Sequence, residues 1–425
     1  MKKEGWKDVK LGEVTTKLGD GLHGTPKYDD DGEYFFINGN NLVNGNIIFN
    51  ESTKKVSKEE YLKYKKDLNN RTILVSINGT LGNVAVYNNE KVVLGKSACY
   101  FNIHDGMDKQ FVKYVLNDKK FQDYIILYST GSTIKNMPLS AMRSFSFGIP
   151  ESILTQQKIA TILSNYDNLI ENNEKRIKIL EQIAKLIYEE WFVKFKFPGH
   201  EKVKMIDSKT EFDKIPDGWD VKSIMDIDYF SFINEGIKEF SGEKEYFATA
   251  NIDGLAIIKE GEIVTYENKP SRAQKEPKIN SVWFARMKDS YKVLGVTKIN
   301  KNIAENSILS SGFAGFESEE KIFPFLFLNI TSKRFDDLKN LYATGATQVS
   351  LNNDGLANIK IIYPKKEIVE NFGMFVKPLI DQLFISQLKN QLLRKTRDFL
   401  LPKLISGEVD VSELDIKLSE EVANT

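Results

Sequence analysis

Apolar residues recur in alternating steps of four and three between residues 159 and 191. Nine of the ten positions are apolar or aromatic, and the series is Ile159, Leu163, Tyr166, Ile170, Asn173, Ile177, Leu180, Ala184, Ile187 and Trp191. This spacing, with no Pro or Gly, is typical of a helix that packs against another helix in coiled-coil fashion. The helix would be about 50 Å long, and Asn173 would help to fix its register. A long surface helix of an ordinary domain is the simpler alternative.

A second helical pattern follows Pro364 and supplies the expected partner. Its apolar positions include Val369, Phe372, Val376, Leu379, Leu383, Leu393, Leu400 and Leu404. We expect Pro378 to start or kink its long part, because the proline ring clashes with a preceding carbonyl. We expect Pro402 to disturb the last turn, and the acidic tail after Gly407 to fray.

The chain repeats itself. Three pairs of anchors match, namely Trp6 with Trp219, Gly131 with Gly345, and Pro150 with Pro364. The first pair is 213 residues apart and the other two are 214 apart. Separated anchors at one offset indicate a tandem duplication.

Each repeat begins with a strand-rich part. Runs of β-branched and aromatic residues bounded by turn residues predict strands at 34–37, 73–77 and 84–87, then at 246–250, 257–258, 281–285 and 291–296. Apolar spacing predicts helices at 109–127 and 333–341. The apolar run 322–330 is too short for a membrane span and is interpreted as a buried strand.

The predicted fold class is therefore α+β. Two mixed strand-rich domains would be separated by two long antiparallel helices that form a coiled-coil spacer, with a pseudo-two-fold axis. The predicted segments are 1–150 (first domain), 151–197 (first helical region), 198–364 (linker and second domain) and 365–425 (second helical region and tail). The polar stretch 198–218 is interpreted as the linker.

Bulk composition narrows the class of protein. With 425 residues, 41% hydrophobic and 28% charged, the chain can bury several cores. Lys+Arg and Asp+Glu are 59 each, which disfavours a sequence-blind nucleic-acid binder but allows local basic faces. Cys99 is the single cysteine, which fits a reducing cytoplasm. The N-terminus lacks the apolar core of a signal peptide.

Enzyme motifs are weak or missing. The segment 19–24 matches GxGxxG, but a charged, turn-like stretch follows where a dinucleotide site needs a helix. There is no phosphate-binding loop with GK[ST] and no GxSxG elbow. His23, His104 and His200 are scattered, so we expect no metal site. The residues predict a binding protein without catalytic function.

Two similar domains on a stiff spacer would suit a reader of split DNA sites, since one duplex turn is about 34–36 Å. In this light the chain resembles the type I restriction–modification specificity subunits (S subunit, HsdS). The matching segments are 5–7 (GWK), 19–28 (GDGLHGTPKY), 76–82 (SINGTLG), 130–133 and 344–347 (TGST and TGAT), 156–160 (QQKIA), 187–193 (IYEEWFV) and 404–409 (LISGEV). The second repeat lacks clear counterparts of 19–28 and of the GTxG segment.

The resemblance implies two target-recognition domains that each read one part of a split, asymmetric DNA sequence. It implies that the helices dock methyltransferase subunits, which bind S-adenosylmethionine and methylate adenine, and that nuclease and translocase subunits can join. This chain would then bind no cofactor itself. The alternative is a coiled-coil adaptor without DNA specificity, and a standalone enzyme has almost no support in the residues.

Candidate DNA-binding residues come from loops. Those of the first repeat are His23, Thr25, Lys27, Tyr28, Asn78, Thr80, Lys96, Ser132, Thr133 and Lys135, and those of the second are Arg272, Arg286, Lys288, Thr347 and Gln348. Amide and ammonium groups can read adenine and guanine edges, whereas solvated hairpins and turn capping are the plain alternatives. Trp191 and Phe192 are the candidate partner-binding residues.

Overall fold

The computed structural model describes residues 4–208, 210–346 and 349–418. The α-helices are α1 (Lys58–Tyr64), α2 (Lys109–Asn117), α3 (Lys119–Leu127), α4 (Leu139–Ser144), α5 (Ile153–Tyr188), α6 (Asn302–Asn306), α7 (Phe323–Ile330), α8 (Lys333–Tyr342), α9 (Asn353–Ala357) and α10 (Lys366–Ile405). A short π-helix, Glu189–Val193, continues α5.

Short strands fill both repeats. The strands of the first are β1 (Trp6–Lys10), β2 (Thr15–Asp20), β3 (Tyr34–Ile37), β4 (Leu42–Val43), β5 (Asn46–Ile47), β6 (Lys55–Val56), β7 (Thr72–Asn78), β8 (Thr80–Val86), β9 (Val92–Leu94), β10 (Ala98–Ile103) and β11 (Ser146–Pro150). Those that follow are β12 (Met205–Asp207), β13 (Lys214–Pro216), β14 (Asp220–Ser223), β15 (Phe230–Phe232), β16 (Lys244–Phe247), β17 (Ile252–Asp253), β18 (Ala256–Ile257), β19 (Glu262–Val264), β20 (Ala273–Lys275), β21 (Ser281–Ala285), β22 (Val293–Val296), β23 (Ser307–Ser310), β24 (Phe313–Ser318) and β25 (Lys360–Tyr363).

The chain forms two compact units. Unit 1 is Met1–Ile170 with Leu392–Thr425, and unit 2 is Glu171–Gln391. The division therefore falls inside α5 and α10, so each unit contains a segment of both long helices. The strand-rich parts and the long helices confirm the predicted α+β class.

Unit 1 is built on a four-stranded antiparallel sheet of order β2-β10-β7-β8. Its core holds Phe101 of β10, Phe111 of α2 and Phe121 of α3, all fully buried. Ile159 and Leu163 of α5 join the same core, together with Leu401 and Leu404 of α10. The first strand-rich domain thus closes its core with residues from near the end of the chain.

Unit 2 repeats this plan. Its antiparallel sheet has the order β15-β24-β21-β22, and β14 pairs with β25 as β1 pairs with β11. A second sheet, β19-β16-β23-β20, includes the parallel pair β16 and β23. Tyr188 and Phe192 share the unit 2 core with Phe325 of α7 and Phe372 of α10.

The helix segments are antiparallel within each unit. In unit 1, Arg397 Nη1 lies 2.7 Å from a carboxylate oxygen of Asp167, and Lys158 Nζ donates to the carbonyl of Ser412 at 2.6 Å. In unit 2, Asn173 Nδ2 donates to Asn390 Oδ1 at 2.8 Å, and the rings of Trp191 and Phe372 are 5.4 Å apart. In both units, higher numbers on α5 and its π-helical continuation meet lower numbers on α10 and the segment that follows it, as the coiled-coil prediction required. The predicted seam positions on α5 are buried or half-buried.

A polar cluster joins the strand-rich part of unit 1 to its helices. Asp167 accepts hydrogen bonds from the Tyr114 hydroxyl at 2.7 Å and from Lys113 Nζ at 3.3 Å, in addition to the bond from Arg397. Burial acts to raise the pKa of Asp167, but the Lys113 and Arg397 charges and the Tyr114 hydrogen bond outweigh it and lower the pKa. Asp167 is therefore ionised and holds three elements together.

Two predicted secondary-structure assignments are wrong. The run 322–330 forms helix α7 from Phe323 onward, with a proline in its first turn, rather than a strand. All eight residues of α7 are buried, so the run carries no periodicity that could separate helix from strand. The predicted helix 109–127 is two helices, because Asp118 has an extended backbone and its side chain caps α3 by accepting from the Lys120 amide.

Three expectations about the connections are also wrong. Helix α10 begins at Lys366 and is continuous through Pro378 and Pro402, so Pro378 does not start it and Pro402 does not end it. Both prolines lie on its exposed side, while Val376 and Ile380 on the other side are buried. The segment after Gly407 is not frayed as far as it is described, since Val411 is buried in the unit 1 core. The expected linker 198–218 contains the paired strands β12 and β13, which pack on the unit 2 core.

The Asn173–Asn390 hydrogen bond yields a stability prediction. Asn390 is buried, so Asn173→Leu removes a donor from a carbonyl that water cannot reach. We expect Asn173→Leu to lower the free energy of unfolding by about 1–3 kcal/mol. The double variant Asn173→Leu/Asn390→Leu should recover much of this loss. Urea unfolding of the three chains measures the effect, and a double variant less stable than the single one would contradict the assignment.

Candidate nucleic-acid interface

The candidate residues of unit 1 gather at one end of its main sheet. Strand β2 ends at Asp20, which pairs with Cys99 near the start of β10. Strand β10 in turn begins opposite Ser76, close to the end of β7. Because neighbouring strands run in opposite directions, the turns after β2 and β7 and the turn before β10 meet at this end. We call it the loop end of the sheet.

The loop that follows β2 lies beside the turn that carries Lys96. The Leu22 amide donates to the Leu94 carbonyl at 2.7 Å. Gly21 permits this approach, since a Cβ there would overlap the Leu94 and Gly95 carbonyl oxygens. His23 is exposed and its Nε2 lies 2.6 Å from Asp20 Oδ2. Thr25, Lys27, Tyr28 and Lys96 are also exposed, so this edge presents polar side chains to solvent.

The second group of candidates is joined by backbone hydrogen bonds. The Gly79 amide, in the hairpin between β7 and β8, donates to the Lys135 carbonyl at 3.0 Å. Thr130 and Asn136 exchange backbone hydrogen bonds at 2.8 Å and close the loop that contains Ser132 and Thr133. Asn78 Nδ2 also donates to Asn136 Oδ1 at 3.1 Å. Asn78, Thr80, Ser132, Thr133 and Lys135 thus form one surface.

Unit 2 builds the same frame from different residues. Thr344 and Ser350 exchange backbone hydrogen bonds at 3.0 Å, and the Lys288 amide donates to the Val349 carbonyl at 3.0 Å. These contacts are the counterparts of Thr130–Asn136 and Gly79–Lys135. The frame is formed by backbone groups, so it does not require a GTxG segment. Because the second repeat lacks that segment, its sequence did not reveal the equivalence. Thr347 and Gln348 lie outside the described residues.

The basic candidates of unit 2 lie at the corresponding end of its sheet. The Arg286 amide donates to the Gly312 carbonyl at 2.9 Å, and the Arg272 carbonyl accepts from the Ser311 amide at 2.7 Å. Arg272 and Lys288 are exposed. Sequence reasoning missed Lys275 and Lys292, which lie in the same region and which no sequence motif marks.

Arg286 is half-buried and held in place. Its Nη1 donates to the Leu351 carbonyl and its Nη2 to Asn353 Oδ1, both at 2.9 Å. Its guanidinium lies 5.9 Å from the centre of the Phe232 ring. Burial lowers the pKa of Arg286. The guanidinium therefore supports the fold of this end as well as carrying charge.

The two partner-binding candidates differ in exposure. Phe192 is buried in the core of its own unit, against Phe325 and Phe372, so it offers no surface to a partner, contrary to expectation. Its apolar character is explained by that packing. Trp191 is half-buried and stacks on the exposed Phe375, with ring centres 6.3 Å apart.

Across residues 4–208, 210–346 and 349–418, no group of three or more His, Cys, Asp or Glu side chains is placed to hold a metal ion. No helix within these ranges is both long and apolar enough to span a membrane.

Comparison with known proteins gives a consistent result. The sequence profile of the type I restriction modification DNA specificity domain matches residues 3–182. The type I restriction enzyme MjaIX specificity subunit of Methanocaldococcus jannaschii is 30% identical over 360 residues, and the match covers 81% of this chain and 78% of that protein. The HindI specificity subunit of Haemophilus influenzae is 24% identical over 70% of this chain and 76% of its own length.

The fold has a counterpart among solved structures. The S subunit of a type I restriction–modification system from M. genitalium superposes with a TM-score of 0.57 at 18% identity. The match covers 94% of this chain and 96% of that one. It therefore extends over both repeats and both long helices.

The loop frame makes a prediction for Gly131. This residue has φ +101°, and a Cβ there would overlap the Ile134 carbonyl oxygen. We expect Gly131→Ala to open the loop at a cost of about 1–3 kcal/mol, so the Thr130 and Asn136 amides should exchange hydrogen faster. Gly79→Ala is the matched control, because Gly79 also has positive φ but nothing lies near its Cβ position. Equal exchange rates in the two variants would contradict the role of the close contact.

Proposed function

Because the chain belongs to the family of type I restriction–modification specificity subunits, we propose that it selects the DNA sequence on which a methyltransferase complex acts. The observation that carries this proposal is the repeated loop frame at the sheet ends of the two units. The backbone contacts are the same, whereas the side chains they present differ. Each unit would thus read its own part of a split, asymmetric target.

The exposed side chains suit such reading. In unit 1, the exposed Thr80 and Lys96 and the half-buried Asn78 carry hydroxyl, ammonium and amide groups that can bond to base edges in the major groove. Arg272 and Lys288 in unit 2 can contact bases or phosphates. The chemistry would belong to partners, in which methyltransferase subunits bind S-adenosylmethionine and nuclease or translocase subunits can be added. The buried free thiol of Cys99 fits action in the cytoplasm.

A repeated surface supports docking of one kind of partner to both units. On α3, Lys119 and Asp123 form an exposed ion pair of 2.6 Å, and Leu127 lies one turn further along the same face. On α8, Lys333, Asp337 and Leu341 repeat the arrangement, with an ion pair of 2.8 Å. Leu127 is 76% exposed and Leu341 is 69% exposed, so neither is explained by packing.

Lys119, Asp123 and Leu127 recur 214 positions later as Lys333, Asp337 and Leu341. The loops, by contrast, differ between the two repeats. A partner present in two identical copies would meet the same surface twice, as methyltransferase subunits would. The long helix α5 offers a further apolar face, formed by the exposed Ile179, Ile183 and Leu186. Their spacing of four and three residues places them on one side of the helix.

The reading proposal predicts effects confined to half of the target. We expect Thr80→Ala with Lys96→Ala to relax the sequence methylated at one half and leave the other half unchanged, because each lost base contact costs about 1–3 kcal/mol of discrimination. Methylome sequencing of cells that carry the chain and its methyltransferase measures this. Lys17→Ala is the control, because Lys17 lies on β2 of the same sheet and the change removes only an exposed ion pair with Asp67. Relaxation of both halves would contradict separate reading.

The adaptor alternative is tested on the same complex. A gel-shift assay with the methyltransferase bound should show preference for duplexes that contain the target. Equal affinity for all duplexes would favour a coiled-coil adaptor without DNA specificity.

The docking surface predicts a change in stoichiometry. We expect Leu127→Asp or Leu341→Asp each to weaken one of two methyltransferase sites about 10-fold or more, because a buried leucine contributes about 1.5–3 kcal/mol. Native mass spectrometry of the complex at limiting concentration should then show a dominant species with one copy. Ile126→Asp is the control, since Ile126 is also exposed but corresponds to Asn340 in the second repeat. If the double variant Leu127→Asp/Leu341→Asp still bound two methyltransferase copies, this docking surface would be excluded.

A further inference from the structure

The loop end of unit 2 carries a concentration of positive charge. Arg286, Lys288 and Lys292 lie in the hairpin between β21 and β22, and two further cations of the second sheet, Arg272 just before β20 and Lys275 at its end, lie nearby. Within the described residues, none of them pairs with a carboxylate; Arg286 and Lys292 donate to neutral oxygens only. Other lysines of this unit behave differently, since Lys244 pairs with Glu276 at 3.1 Å and Lys278 with Glu317 at 3.0 Å.

Lys275 and Arg286 stand out within this group because both are half-buried. Burial, and then the positive charge of Arg286, lower the pKa of Lys275. A like-charged pair that is partly removed from water is unfavourable unless an anion lies nearby. No described carboxylate pairs with either side chain.

A turn between the two cations completes the site. Lys275 lies opposite Leu309 in the β20–β23 pairing, and the Arg286 amide is bonded to the Gly312 carbonyl. The segment 309–312 therefore runs from one cation to the other. Ser311 in this turn is exposed and adds a hydroxyl donor.

We propose that Lys275, Arg286 and Ser311 form a binding site for one phosphate group of the DNA backbone. Arg286 is pre-positioned by Leu351, Asn353 and Phe232, so little order is lost when it binds. The Lys275 ammonium group has no hydrogen-bond partner to give up among the described residues. The site would fix the register of unit 2 on the duplex, while neighbouring exposed residues would read bases. This inference rests on the proposed function.

The test uses the complex of the full chain with its methyltransferase and duplex DNA. We expect Lys275→Gln to reduce the slope of log affinity against log salt by about one, and to lower affinity about 10-fold at about 0.1 M salt. The ratio of affinities for target and non-target duplexes should not change. Lys275→Arg should retain the wild-type slope. Lys214→Gln, the same change at an exposed lysine of the β12–β13 hairpin, is the matched control and should have no effect.

A second readout does not depend on sequence recognition. Inorganic phosphate should raise the melting temperature of the full chain above that in acetate of equal ionic strength, and Lys275→Gln should abolish this difference. An unchanged salt slope in Lys275→Gln, or a changed preference among targets with the slope intact, would overturn the phosphate assignment. If the wild-type complex shows no sequence preference, the proposed function fails, yet loss of the phosphate-dependent stabilisation in Lys275→Gln would still support the site.

Discussion

Burial of the apolar faces of α5 and α10 is the constraint on which both units depend. In unit 1, Ile159 and Leu163 meet Leu401 and Leu404, and in unit 2 Tyr188 meets Phe372. These residues are more than 180 positions apart in sequence, so neither core can close until distant parts of the chain are brought together. The cost of closing such long loops grows only slowly with their length, whereas the apolar area buried is large. Polar contacts such as the Asn173–Asn390 hydrogen bond fix the register of the two long helices rather than add much stability.

In the sheets that pack on these helices, the backbone forms a constant frame and the exposed side chains of the turns vary. Each sheet has the turns that carry the candidate residues at one end, where the antiparallel order brings residues from distant segments together. The frame of the turns consists of backbone hydrogen bonds, as between Gly79 and Lys135 or between Lys288 and Val349. Side chains in these turns can therefore change without loss of the frame, which suits the proposed reading of different DNA sequences.

Charged side chains are also distributed unevenly between the loop ends and the rest of the chain. The chain is neutral overall, with 59 cationic and 59 anionic residues. Many lysines outside the loop ends pair with carboxylates, as Lys119 does with Asp123. The loop end of unit 2 keeps its cations unpaired among the described residues and so can attract phosphate locally. Partner subunits would supply much of the remaining phosphate contact.

Sequence alone determined the duplication, the α+β class, the pairing of the two long helices and seven of the 25 described strands, because each depends on local periodicity or on repeated motifs. Strands 34–37 and 281–285 have the bounds that their flanking turns predict. Tertiary structure decided what lacks a local signal. Helix α7 is buried on all sides and shows no period, and α10 passes through two prolines because its opposite face is packed. The loop frame of unit 2 and the electrostatic interaction between Lys275 and Arg286 could not be predicted either, since backbone hydrogen bonds and through-space charge leave no pattern in the order of side chains.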